Sequence, residues 1–215
     1  MKQILILISL TLCSFSQEPL SSNFLVKITS DISTISSSSH GTEVKIQRVQ
    51  DVENVLIDDF TKTSRTCPPF CIQANKVDEN IQNVAELEVL KFIKEVVDKE
   101  EGLLIDTRLK SWFELESLPT AINIPFSLLE KSSKETIALI FNVLGMKILA
   151  NGSWDYSKVK RIVIFDNGLW CSQAKHFVSV LLKYDYPTQK IFYYRAGLQG
   201  WKLLGLTTVV HKELK

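Results

Sequence analysis

The stretch at 161–172 decides the fold of this chain: Arg161-Ile162-Val163-Ile164-Phe165-Asp166-Asn167-Gly168-Leu169-Trp170-Cys171-Ser172. Its first five residues are a mainly apolar run of strand length, which predicts a buried β-strand. The following residues form a loop, after which apolar side chains recur at helical spacing at Ala174, Phe177, Val178, Leu181 and Leu182. A strand, a loop and a helix in this order are typical of a parallel sheet.

The same alternation continues on both sides of this stretch. Strands are predicted at 103–106, 121–124 and 190–194, and helices near 84–98, 109–116, 133–144 and 172–184. Two helix starts are expected from capping-box spacing, at Asn83 with Glu86 and at Ser132 with Glu135, and Gly145 is placed to end the second helix. The predicted fold class is therefore α/β, a parallel sheet flanked by helices, over residues 83–215.

Residues 17–82 are expected to form an N-terminal extension built on a β-hairpin. Strand patterns at 24–28 and 44–49 are predicted to pair across the Ser-rich segment between them. The extension then continues into Thr66-Cys67-Pro68-Pro69-Phe70-Cys71-Ile72-Gln73, where two adjacent prolines exclude a helix and predict a stiff, extended loop.

The first sixteen residues have the pattern of a signal peptide. Lys2 supplies a positive start, residues 4–12 are almost wholly apolar, and Ser14-Phe15-Ser16 places small residues where a signal peptidase reads them. We expect cleavage before Gln17 rather than an uncleaved anchor. The mature protein is then periplasmic or secreted, without stable membrane insertion.

Composition excludes some classes of partner. Lys and Arg total 25 against 24 for Asp and Glu, a formal net charge of +1, and no basic run exceeds two adjacent residues. Nucleic-acid binding is therefore not expected.

Removal of the signal peptide would leave three cysteines in an oxidising compartment. For Cys67 and Cys71 a local disulfide is favoured over metal ligation, because no histidine follows at zinc-finger spacing. A redox-active cysteine pair is the more specific alternative to a purely structural disulfide. No metal site is predicted. Cys171 is left as a free thiol.

Three loops are expected to meet at the carboxyl edge of the sheet, where ligands bind in open parallel sheets. They begin at Asp106, Asp166 and Arg195, after three of the predicted strands. The middle loop joins a buried strand directly to a helix, so its backbone N–H groups can form a nest for an anion.

Three segments together resemble the rhodanese-like sulfurtransferases, over roughly residues 83–209. They are Leu103-Leu104-Ile105-Asp106-Thr107-Arg108, similar to the family's strand with an Asp-x-Arg signature; Leu118-Pro119-Thr120-Ala121-Ile122-Asn123-Ile124-Pro125, similar to its Ile-Pro-Gly-Ala-x-x-Ile-Pro segment with Thr120 for the glycine; and Tyr194-Arg195-Ala196-Gly197-Leu198-Gln199-Gly200-Trp201, similar to its terminal Gly-Gly-x-x-x-Trp with Ala196 for the first glycine. The segments at 66–73 and 167–171 also resemble an exported bacterial subgroup of this family.

The resemblance implies a loop that carries sulfur as a cysteine persulfide, but the nucleophile position is Asp166 here. A carboxylate cannot hold a persulfide, and in an amide nest it would occupy the anion site itself. Cys171 is the remaining candidate nucleophile, at a helix start that favours thiolate, with an inert semi-buried residue as the alternative. The rest of the candidate site comprises Asn167, Gly168, Leu169, Trp170, Ser172 and Arg195.

The charged residues near the loop receive separate roles. Asp106 and Arg108 are expected to be structural, as the resemblance implies, whereas Arg195, or failing that Arg108, is predicted to neutralise Asp166 and so depress its pKa.

Two functions stay open at this point. One is a module that binds a small sulfur-containing anion or a protein thiol, with weak or no thiosulfate sulfurtransferase activity. The other is a sulfurtransferase or thiol-redox enzyme that uses Cys171. No cofactor is expected for either.

Overall fold

The computed structural model describes residues 24–211, so the predicted signal peptide at 1–16 lies outside the described residues. Its centre is a five-stranded sheet of β3 (Gln82–Val84), β4 (Gly102–Asp106), β5 (Ile122–Asn123), β8 (Arg161–Phe165) and β9 (Ile191–Tyr194). Across the sheet these strands lie in the order β3-β9-β8-β4-β5.

Every pairing in this sheet is parallel, as predicted for the four strands read from the sequence. In β8, Ile162 pairs with Ile191 of β9 and with Leu103 of β4. The two longest strands of this sheet, β4 and β8, are therefore neighbours in its interior. The outer strands β3 and β5 contribute three and two residues.

Helices connect the strands and cover both faces of the sheet. They are α1 (Glu86–Phe92), which continues into a π-helical segment (Ile93–Val97), α2 (Lys110–Leu115), α3 (Phe126–Lys131), α4 (Lys134–Val143), α5 (Gln173–Lys183) and α6 (Gly197–Leu203). A short antiparallel pair, β6 (Lys147–Ile148) with β7 (Trp154–Asp155), lies between α4 and β8.

Alternation along the central strands divides the core into two layers. Ile162 and Ile164 of β8 contact the layer that contains Phe141 of α4 and Phe177 of α5. Val163 and Phe165 face the opposite way, into the layer formed mainly by α1 and α6, where Trp201 is fully buried. Two-sided burial explains why the strand sequences are continuous apolar runs.

Two of the expected helix starts are displaced. Asn83 lies inside β3, and α1 begins after Ala85, whose backbone N–H donates to the Glu88 side chain at 3.1 Å. The N-cap of α4 is Ser133 rather than Ser132. Gly145 follows the end of α4 as predicted, with a φ of +85° that favours glycine.

The N-terminal hairpin exists, but its predicted first strand is wrong. Residues 24–28 are irregular, and β1 (Thr34–Ser39) pairs antiparallel with β2 (Thr42–Gln47). The Ser-rich run therefore lies within a strand, and the turn is His40-Gly41, both at positive φ. Ile46 of β2 is fully buried in the α1 and α6 layer, so the hairpin is held by the domain core.

Candidate functional site

The carboxyl ends of β4, β8 and β9 meet at one edge of the sheet. The Thr107 backbone N–H and hydroxyl both donate to the Phe165 carbonyl, at 3.1 and 2.8 Å. The backbone N–H of Leu198 donates to the Asp166 carbonyl at 3.0 Å. These bonds bring together the three loops predicted to form the site.

Asp166 lies at the centre of this edge and is fully buried. Its Oδ1 accepts the Gly168 backbone N–H at 3.1 Å, and its Oδ2 accepts the Ala174 backbone N–H at 2.9 Å. One donor belongs to the loop and the other to the first turn of α5. The carboxyl group therefore occupies amide donors that would otherwise be available to an anion.

The expected neutralisation of Asp166 by an arginine is wrong. Arg195 donates instead to the carbonyls of Gln73 and Ala74, at 2.9 and 3.2 Å. Arg108 pairs with Asp106, and between residues 24 and 211 no ion pair includes Asp166. Both arginines follow strands that end at the expected edge of the sheet, but their side chains donate to other acceptors.

The pKa of Asp166 is correspondingly raised rather than depressed. Burial raises the pKa of this carboxyl from its ordinary 3.8 to about 7, although the hydrogen bonds from Ala174 and Gly168 oppose the rise. Burial therefore outweighs the backbone dipoles, because no cation offsets the loss of water.

Asp106 and Arg108 form the buried frame beside Asp166. The guanidinium of Arg108 forks onto both carboxylate oxygens of Asp106, at 2.9 and 2.6 Å, and Ser117 donates to the same carboxylate at 2.7 Å. Arg108 also donates to the Glu116 carbonyl at 2.6 Å and to the Asn167 side-chain oxygen at 3.3 Å. Its donors are directed to the protein itself, so this geometry is structural.

Cys171 is the free cysteine of the described chain, and it is buried. Burial, followed by the negative charge of Asp166, raises the pKa of its thiol from 9.0 to about 12. The expected thiolate at the helix start is therefore wrong, because burial outweighs the helix-start dipole. The Asn167 Nδ2 atom lies 3.7 Å from its Sγ.

The remaining loop residues shape the site rather than supply reactive groups. Gly168 has a φ of +136°, and a Cβ there would meet the Ala196 carbonyl at 2.9 Å. Leu169 is half exposed, and the Trp170 indole N–H donates to Gln199 Oε1 at 2.8 Å. Ser172 precedes α5 without a side-chain capping bond.

A segment of the N-terminal extension, residues 58–74, lies against this loop; we call it the cover segment. The Gln73 backbone N–H donates to the Leu169 carbonyl at 2.9 Å, and Gln199 Nε2 donates to the Phe60 carbonyl at 3.0 Å. The Arg65 guanidinium stacks 3.8 Å from the centre of the Trp170 ring, and Phe70 meets that ring edge-on.

A pocket of about 360 Å³ opens between the cover segment and the loop. Its lining combines aromatic and aliphatic side chains with an equal number of polar or charged ones; the lining residues are Asp58, Asp59, Phe60, Arg65, Phe70, Arg108, Trp112, Leu115, Glu116, Asn167, Trp170 and Leu198. The sequence did not predict that Phe60, Arg65 and Phe70 belong to the site. The only sequence feature that singled out this part of the chain was the unusual composition of the segment around Cys67.

The disulfide expected between Cys67 and Cys71 is present, with a Cα–Cα distance of 4.6 Å. Among residues 24–211, no three His, Cys, Asp or Glu side chains cluster closely enough to hold a metal ion. None of the helices in the described part of the chain combines the length and apolarity needed to span a membrane.

Comparison with known proteins assigns residues 89–204 to a single family model, described as the Rhodanese-like domain. None of the curated protein sequences matches the chain.

Several solved structures are similar in fold at low identity. A Bacillus halodurans protein is 17% identical, with a TM-score of 0.43, over 60% of this chain and 77% of its own. A thiosulfate sulfurtransferase from Pseudomonas aeruginosa is 18% identical, with a TM-score of 0.42, over 61% of this chain and 21% of its own. A single-domain sulfurtransferase from Saccharomyces cerevisiae is 18% identical, with a TM-score of 0.40, over 58% of this chain and 91% of its own.

Proposed function

The chain belongs to the rhodanese-like domain family, and from this premise we propose that it is an exported binding module for a small sulfur-containing anion or a protein thiol, with weak or no sulfur transfer from thiosulfate. The observation that carries the proposal is the position of Asp166. Its buried carboxyl stands where the family resemblance places the nucleophile, and it already accepts the Gly168 and Ala174 N–H groups.

The chemistry of sulfur transfer argues against turnover at this position. A persulfide forms when a thiolate takes sulfane sulfur from thiosulfate and sulfite leaves. The Asp166 carboxyl has no sulfur atom on which that bond could form. When ionised, it would also repel the dianionic donor.

Cys171 does not supply the missing group. With its pKa raised to about 12, the thiolate fraction at neutral pH is on the order of 1 in 10⁵. The side chain is also buried, which restricts the approach of a charged donor. Both properties favour the binding function over the enzyme that uses Cys171.

The pocket under the cover segment supports binding. Its volume of about 360 Å³ lies within the usual range for small-molecule sites, roughly 300–1,000 Å³. Aromatic side chains in the wall, here Phe60, Phe70, Trp112 and Trp170, are typical of such sites. The pocket borders the loop through Asn167 and Trp170, so a ligand held there would contact the segment that carries sulfur in the family.

The decisive experiment is a thiosulfate:cyanide sulfurtransferase assay on four proteins: the natural sequence, Asp166→Cys, Cys171→Ser and the double variant. We expect background rates for the natural sequence and for Cys171→Ser. Asp166→Cys is expected to gain activity, because its thiol would face the same two amides, and the double variant should keep that gain. Robust turnover by the natural sequence that Cys171→Ser abolishes would overturn the proposal.

Export has its own support and its own test. The leader pattern at 1–16 and the Cys67–Cys71 disulfide both fit an oxidising compartment. Intact-mass measurement of the exported chain should show a start at Gln17. A chain that retains residues 1–16 in the cytoplasm would contradict export without affecting the binding proposal.

A further inference from the structure

The Cys67–Cys71 disulfide lies in a setting that differs from that of a buried structural crosslink. Cys67 is exposed and Cys71 is half-buried. Both line an open pocket of about 490 Å³. When one cysteine of a disulfide is exposed and the other is more sheltered, an incoming thiolate can attack the first and displace the second.

The charges around this pocket favour the displaced thiolate. Lys62 and Arg65 line it, and no acidic side chain does. Asp59 does not line the pocket but pairs with both cations, so the three side chains together carry one net positive charge. Cations beside a cysteine lower its pKa and so make it a better leaving group.

Apolar side chains also line this pocket, beside Thr63 and Ser64. Ile72 is 88% exposed and Leu169 is 45% exposed, and both line the pocket together with Phe70 and Trp170. Exposed apolar side chains grouped around a reactive centre mark a surface for a partner. The partner that fits this surface is a polypeptide with apolar residues beside its cysteines.

We propose that the Cys67–Cys71 disulfide is a thiol–disulfide exchange centre that oxidises dithiols in polypeptides with apolar flanking residues. This activity goes beyond the proposed function, because it does not use Asp166 and because neither Cys67 nor Cys71 lines the pocket of about 360 Å³.

The reaction balances within the two partners. A thiolate of the partner attacks Sγ of Cys67, the Cys67–Cys71 bond breaks, and its electron pair leaves on Cys71. The second partner thiol loses its proton and attacks the mixed disulfide, which releases Cys67 as a thiolate and closes the partner's disulfide. Two electrons pass to the protein, and the two protons lost by the partner balance those taken up by Cys67 and Cys71.

The test uses the purified full chain in its oxidised form and a reduced synthetic peptide with two cysteines flanked by leucine and phenylalanine. Quenching with an alkylating reagent and mass spectrometry measures peptide oxidation. We expect oxidation at least about tenfold faster than by oxidised glutathione at equal concentration. Cys67→Ser and Cys71→Ser should abolish it, whereas Cys171→Ser should leave it unchanged.

A matched pair of surface variants distinguishes docking from general reactivity. Ile72→Ser removes an apolar residue from the pocket wall, while Ile57→Ser removes one that is 92% exposed and lies outside that wall. Ile72→Ser should slow oxidation of the apolar peptide several-fold but not that of dithiothreitol, and Ile57→Ser should change neither rate.

A structural disulfide would give a different result. If the peptide reduces Cys67–Cys71 only after denaturant is added, or if Ile72→Ser and Ile57→Ser behave alike, the proposal is overturned. The sulfurtransferase assay tests position 166, and the peptide assay tests Cys67 and Cys71. The Asp166→Cys variant retains both of these cysteines, so either proposal can fail without the other.

Discussion

At Asp166, a carboxyl group is held inside the protein by two backbone N–H groups and by no cation of the described chain. Two hydrogen bonds compensate part of the desolvation of a carboxylate, and protonation removes the rest. The raised pKa of about 7 is the consequence. This residue therefore couples the stability of the fold to pH in the neutral range.

Asp166→Asn should remove that coupling. The unfolded carboxyl ionises near 3.8 and the folded one near about 7, so the folded protein holds the extra proton between these values. The free energy of unfolding should fall as pH rises through this window, by at most about 1.4 kcal/mol per pH unit, and level off above it. Urea denaturation at about pH 4.5, 6 and 8 measures the slope. Equal slopes in both proteins would refute this account of Asp166.

Cys171 should resist alkylation in the folded protein. Its thiol is buried, and its pKa is raised to about 12, so iodoacetamide meets few thiolates. Intact-mass measurement should show no adduct on Cys171 after native treatment and one adduct after treatment in urea. Rapid native labelling, mapped to Cys171 by peptide analysis, would return this residue to the list of candidate nucleophiles.

Among the structural elements, α6 controls the shape of the loop because it begins in contact with it. Gly197 has a φ of +58°, and a Cβ there would lie 2.4 Å from the Asp166 carbonyl and 2.6 Å from the Gly168 nitrogen. Gly41 in the hairpin turn also has positive φ, at +81°, but a Cβ there meets nothing within 4 Å. A substitution at Gly41 therefore introduces backbone strain alone, whereas one at Gly197 introduces backbone strain and steric overlap together.

Gly197→Ala should therefore be much more damaging than Gly41→Ala. The hairpin substitution carries only the left-handed backbone cost, about 1 kcal/mol. The α6 substitution adds a clash with backbone that cannot move cheaply, for a total of about 3 kcal/mol or more. Chemical denaturation of both variants measures the difference. A similar loss in both would show that the start of α6 can shift away from the loop.

The sequence predicted β4, β5, β8 and β9 and the helices α2, α4 and α5, because buried strands and amphipathic helices leave periodic patterns. It did not predict α3 or the short pair β6 and β7. β3 was missed because its three residues carry no periodicity, and Asn83 was assigned to a helix instead. The first hairpin strand was misplaced because the serines of β1 do not resemble a strand, although Ser37 and Ser39 are buried there. Propensity alone does not identify a polar strand that tertiary contacts stabilise.

The position of the candidate site was predictable from the sequence, but the hydrogen-bond and ion-pair partners of its charged side chains were not. Strand ends correctly placed Asp106, Asp166 and Arg195 on one edge of the sheet. The direction of each side chain depends on acceptors that are remote in sequence, such as the Gln73 carbonyl that receives Arg195. Irregular backbone makes these contacts in the cover segment, and such backbone has no sequence period.

In the whole molecule, the N-terminal extension contributes to both candidate pockets. Arg195 anchors the cover segment through the Gln73 and Ala74 carbonyls, next to the Gln73–Leu169 bond. Both candidate pockets depend on the position of this segment, because each is lined partly by it and partly by the Asp166–Ser172 loop.

Arg195→Met should loosen the cover segment without unfolding the domain. The variant keeps an apolar stem of similar length but loses both hydrogen bonds. Trypsin should cleave at Lys62, Arg65 or Lys76 several-fold faster, while the thermal midpoint shifts by less than about 4 °C. Lys99→Met, at an exposed position, is the control that also removes one tryptic site. Unchanged cleavage of the segment would show that Arg195 does not anchor it.

The lengths of the strands across the central sheet have a consequence for behaviour at high concentration. Its outermost members, β3 and β5, offer only three and two residues, and Pro125 follows β5 closely. A second copy that approached either border would find too few free backbone N–H and C=O groups to continue the ladder. The long apolar strands most prone to amyloid-like stacking are enclosed at the centre. Self-association by β-augmentation is therefore disfavoured at both borders.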